Sequence, residues 1–169
     1  MGLDSLIELY ASDIIESDNM NLEKSFIQHG DTTVYEHSMN VCKMCLSIVY
    51  KFNINVDICS LIRGSLLHDY FLYDWHVSDK SHRLHGFTHG KCAMKNAIRD
   101  FHINDVEKNM ISCHMFPLTL GLPRYKESII LCIADKICAS KEFIYYNMFK
   151  LRKLCFLSNY VCILMLLIK

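Results

Sequence analysis

Two prolines and six glycines are all that interrupt these 169 residues. So few chain-breakers exclude a turn-rich β architecture and favour helices. Net charge is missing too: eighteen Lys and Arg balance eighteen Asp and Glu. That balance argues against a broad nucleic-acid surface, though it leaves room for a local basic pocket. One C-x-x-C occurs, Cys42 and Cys45, and no second pair follows at zinc-finger spacing. No repeat and no low-complexity segment is present. The apolar stretch 151–169 lacks the roughly 20 uninterrupted residues of a spanning helix, because Ser158 and Asn159 break it.

What is there fits a globular chain with one core: 51% hydrophobic and 21% charged residues. Nine cysteines is a high and odd number. With no leader-like segment ahead of them, Cys42, Cys59, Cys132 and Cys138 read as small buried hydrophobes in a reducing cytosol. The expected division is a main domain over 1–150 and an apolar helix over 151–169 that packs on the core or joins a homodimer.

Apolar periodicity predicts a first helix over 3–16, then a polar loop from Glu16 to Lys24. Asp31-Thr32-Thr33 can cap a helix running to about Phe52. In it His37, Val41, Met44 and Ile48 share one face. Asn53 and Asn55 break the pattern, and Val56-Asp57 starts a helix toward His68-Asp69. Gly64, one turn earlier, suits a close helix approach. A long segment from Tyr70 to Leu84 follows, and such loops are usually functional. Further helices are expected from His89 to about Phe101, from Val106 to Met115 behind Asn104-Asp105, and from Tyr125 to about Tyr146. The last has Ile129, Ile130, Ile133, Ile137 and Phe143 on its apolar side.

Against that background several polar residues are out of place. His68-Asp69 ends an apolar run, and Asp135 interrupts another. A carboxylate buried without a partner costs several kcal/mol, so each wants a cation. His37 lies upstream; His85, His89 and His114 lie between. Imidazole nitrogen and carboxylate oxygen suit borderline and hard divalent ions: iron, manganese, zinc, cobalt or magnesium.

The ordered set H…HD…H…H…D over about residues 30–142 resembles the HD-domain superfamily of metal-dependent phosphohydrolases. His89-Gly-Lys-Cys-Ala93 and Ile111-Ser-Cys-His114 are similar to the bacterial diadenosine tetraphosphate hydrolases of that superfamily. The resemblance implies an all-α bundle of about six or seven helices. It implies a core metal held by His37, His68, Asp69 and Asp135, with His89 and His114 adding a second ion, iron foremost. His85 competes with His89 for that slot; His89 is preferred because it opens an amphipathic helix. The implied reaction is hydrolysis of a phosphate ester or phosphoanhydride of a small nucleotide or phosphorylated metabolite by a metal-bound hydroxide. In that reaction Asp69 is the expected catalytic carboxylate, taking the proton. Lys80, His82, Arg83, His85 and Lys91 are candidates to bind the substrate. The chain departs from many relatives in having Tyr70 and no nearby Lys after the HD pair. Two other readings stay open: a di-iron oxygenase of the same superfamily, and a non-catalytic nucleotide-binding module.

Overall fold

The computed structural model describes residues 2–80 and 83–167, with 151–167 described by backbone alone. Among the described residues the architecture is all-α: seven α-helices and one two-stranded hairpin. None of these helices is long and apolar enough to cross a membrane.

Helix α1 (Leu3–Ile15) buries Ile7, Ala11 and Ile14, spaced for one face. The expected polar loop over 16–24 is instead a short helix, α2 (Asp18–Leu22), and a 3-10 turn, Glu23–Ser25. The Ser17 side chain accepts the Met20 N–H as a cap, and Met20 drops into the core. One buried Met among polar neighbours is too little periodicity to read. The hairpin β1 (Ile27–His29) and β2 (Thr32–Thr33) follows, antiparallel across Gly30, whose φ is +63°.

Helix α3 (Val34–Phe52) opens with a capping box. Thr33 accepts the Glu36 N–H, and the Glu36 carboxylate accepts the Thr33 N–H at 2.9 Å. It ends at Asn53 in the left-handed region. Asp57 caps α4 (Ile58–Leu66). Then come α5 (His85–Asp100), α6 (Asp105–Cys113), boxed by Asn104 and Glu107, and α7 (Lys126–Leu167). At 42 residues α7 is about 63 Å long. The expected packing or dimer role of 151–169 falls on side chains outside the described residues.

Helix α3 packs on α4 and α7, and α6 sits against α4, α5 and α7. Their shared core includes Val41, Cys45, Leu61, Leu66, Met110, Ile111, Leu131 and Ala134. Gly64 does allow a close approach: a Cβ there would lie 2.6 Å from the Met110 sulfur on α6. Cys42 and Cys45 are enclosed in that core; burial pushes the Cys42 thiol up to about 12 and raises Cys45 as well. Both are therefore thiols and poor ligands at neutral pH.

The inner face of α7 keeps only Ile130 of the expected apolar side. It buries Ile130, Leu131, Ala134 and Cys138, while Ile129 and Ile133 stay 49% exposed and Phe143 66%. The reason is Asp135. With Leu131 and Cys138 one turn away on either side, it turns the buried stripe toward the histidines, and the isoleucine row is left outside.

Candidate metal centre

Five elements each deliver part of one cluster. His37 comes from the first turn of α3, and His68-Asp69 from the turn that ends α4. His89 comes from α5, His114 from the end of α6, and Asp135 from α7. All six side chains are buried.

Their atoms fall into two sets, and Asp69 faces both. Its Oδ2 lies 3.4 Å from His68 Nε2 and 3.9 Å from His37 Nε2. Asp135 Oδ1 completes that set, 3.2 Å from His37 Nε2 and 3.8 Å from His68 Nε2. Asp69 Oδ1 lies 3.2 Å from His89 Nε2 and 3.4 Å from His114 Nε2. Metal–ligand bonds of about 2.0–2.2 Å at tetrahedral or octahedral angles put donor atoms about 3–3.6 Å apart. The distances from Asp69 Oδ1 to His89 and His114 match that scale; the set around His37 and His68 is wider, 3.2–3.9 Å.

Backbone carbonyls fix the tautomers. His68 Nδ1 donates to Ser65 O at 2.7 Å, His89 Nδ1 to His85 O and His114 Nδ1 to Ile111 O, both at 2.8 Å. A carbonyl only accepts, so each proton sits on Nδ1 and each Nε2 turns a lone pair inward. His68 Nε2 and Asp69 Oδ1 are buried with no hydrogen-bond partner. Enclosed acceptors facing one another need a cation, and the residues present could hold a metal ion.

The charges of the cluster are strongly coupled. Burial opposes ionisation of Asp69, but His68, His89 and His114 hold its carboxyl well below the usual range. Asp135 is likewise drawn down to about 2, its burial outweighed by His37 and His68. Burial pushes His114 down to about 3. Burial opposes charge on His37 too, but Asp135 and Glu142 carry it up to about 10.

A surrounding layer holds these ligands. Glu142, two turns beyond Asp135 on α7, meets His37 Nδ1 at 2.8 Å, and Asn40 donates to its other oxygen at 3.3 Å. A carboxylate on the far nitrogen of a metal-facing His orients the ring and raises its basicity. Gln28 on β1 donates to Asp69 Oδ2 at 2.6 Å. His29 beside it forms a second possible cation group with His37 and Glu142. Glu23 is fully buried, and burial together with the Asp69 charge raises its carboxyl well above the usual range.

The cluster opens into a cavity of about 660 Å³. His85 lines it, stacked on Trp75 at 5.1 Å and on His89 at 4.5 Å, with Tyr73 Oη 3.0 Å from its Nδ1. Helix α5 starts at His85, one turn before the expected His89, so both imidazoles share one face and His89 alone reaches Asp69. Lys80 and Arg83 are exposed and do not line the cavity. Lys91 lines a neighbouring depression with Phe87 and Ser112. His82 lies outside the described residues. The cation that does reach the cavity is Lys136, donating to His114 O at 3.1 Å and Cys132 O at 3.2 Å.

Sequence reasoning passes over Gln28, His29 and Glu142. Only Glu142 carries a signal, its seven-residue spacing from Asp135 on one helix face. No family model, curated protein or solved structure matches the chain.

Proposed function

We propose that this chain is a metal-dependent phosphohydrolase of the HD type. It would cleave a phosphate ester or phosphoanhydride of a small nucleotide or phosphorylated metabolite. The observation that supports this most is Asp69, whose two oxygens face two separate sets of nitrogen ligands. That is the arrangement a carboxylate bridging two ions requires.

His37, His68, Asp135 and Asp69 Oδ2 would hold one ion; His89, His114 and Asp69 Oδ1 the other. A donor set of imidazole and carboxylate without thiolate suits iron, with manganese, zinc, cobalt and magnesium as further candidates. When bound, two such ions supply a clamp on phosphoryl oxygens and acidify a water. The protein contributes the rest. Glu142 and three backbone carbonyls fix the imidazole orientations. Gln28 donates to Asp69 Oδ2 and pins the carboxylate between the two ligand sets. Lys136 stands at the cavity wall to meet a phosphate oxygen.

The test is phosphate release from p-nitrophenyl phosphate and a nucleotide panel by metal-loaded protein without oxygen. Release is expected. A strict requirement for dioxygen would overturn the hydrolase and hand the centre to oxygenase chemistry.

A further inference from the structure

The cavity over the metal-facing atoms has two kinds of lining. Asp69, His89, His114 and Asp135 bring polar atoms to it; Trp75, Met115, Pro117 and Leu118 bring apolar surface. Among the described residues that line it, Lys136 is the single Lys or Arg. Two of the three ammonium protons of Lys136 serve the His114 and Cys132 carbonyls, which leaves one donor. One remaining donor suits one phosphoryl group. A di- or triphosphate would bring further charge to a cavity in which no second Lys or Arg is among the described lining residues. A volume of about 660 Å³ lies in the range of whole small-molecule sites and exceeds what a phosphate alone would fill.

From this lining we infer that the cavity selects a phosphomonoester carrying an apolar body, and discriminates against polyphosphates. The phosphoryl group sits beside Asp69 within reach of Lys136. The body lies against Trp75, Met115, Pro117 and Leu118. In the reaction, the water oxygen bonds to phosphorus and the ester P–O bond breaks. One water proton passes to the departing alcohol, leaving inorganic phosphate. This inference rests on the hydrolase reading for the reaction, but not for the binding preference.

The chain has one tryptophan, Trp75, so its emission reports occupancy of the cavity. Metal-loaded full-length protein is titrated with AMP, ribose 5-phosphate and ATP. AMP is expected to bind at least about tenfold tighter than either. Leu118 is half-exposed, so Leu118→Asp keeps the fold; it should weaken AMP several-fold and leave ribose 5-phosphate unchanged. ATP binding as tightly as AMP, ribose 5-phosphate matching AMP, or no change in Trp75 emission with any of the three would each overturn the inference. Phosphate release is measured on the same samples and separates the two readings. Preferential cleavage of ATP removes this inference and keeps the hydrolase. AMP bound in the expected order but never cleaved keeps the binding preference and removes the hydrolase.

Discussion

His89 and His114 bring their Nε2 atoms to 2.8 Å while each Nδ1 faces a backbone carbonyl. Two inward lone pairs at that distance repel, and only a cation relieves them: a proton on one ring or a metal ion against both. An ion held by the folded chain and not by the unfolded one stabilises it by mass action, about 2.7 kcal/mol at a hundredfold excess over its Kd. Stripping metal with a chelator should therefore lower Tm by several degrees, and iron or manganese should restore it. Identical melting curves with and without chelator would contradict this.

Glu142 should act through His37. Glu142→Gln keeps the shape but weakens the hold on Nδ1, and loss of such a partner typically costs about 10–100-fold in metal affinity. A competing chelator titration should show that loss. The metal-free protein should melt lower as well, because Glu142 pairs with the buried His37. Unchanged metal affinity would show that Glu142 holds His37 without tuning the ion site.

Gly90 holds α5 and α6 together where the two histidines meet. A Cβ there would lie 3.0 Å from Ile111 O and 3.2 Å from His114 Cε1, and neither neighbour is a flexible tip. Gly90→Ala should destabilise by about 1–3 kcal/mol in urea unfolding and displace His114. The Gly64→Ala change is expected to be milder, since its close contact is the pliable end of Met110. Equal stability of wild type and Gly90→Ala would refute this packing argument.

Asp100 ties the end of α5 to the rest of the fold. It accepts from Arg99, from Asn19 at 2.9 Å and from the Tyr70 hydroxyl at 2.9 Å. The Arg99 hydrogen bond leads in holding its carboxyl down at about 2. A depressed carboxyl contributes stability above its unfolded value of about 3.9, and that contribution disappears as pH falls through the folded value. The stability gap between wild type and Asp100→Asn should be full at pH 5 and shrink between about pH 4 and pH 2. A gap independent of pH over that window would show that the charge plays no part.

Much of this centre is legible in the amino-acid sequence, because its members break helical patterns. His37 sits on an otherwise apolar face, His68-Asp69 closes an apolar run, and Asp135 divides another. The fold brings these together with His89 and His114. What stays hidden has local causes. Gln28 and His29 ride on a hairpin whose strands are two and three residues long, too short for a visible alternation. The exposed row of Ile129, Ile133 and Ile137 outweighs the true inner face of α7, which is built from smaller residues such as Ala134 and Cys138. Lys136 follows Asp135 directly, about 100° further round the helix, and its long stem still reaches the cavity. The basic segment around Lys80 and Arg83 is better placed along the chain than it is in space.

If Asp69 joins two ion sites, the metal content of purified protein reports it, by elemental analysis of wild type, His89→Ala and His114→Ala. Two ions per chain in the wild type, falling to one in each variant, is the predicted result. A single ion per chain that neither substitution removes would contradict it.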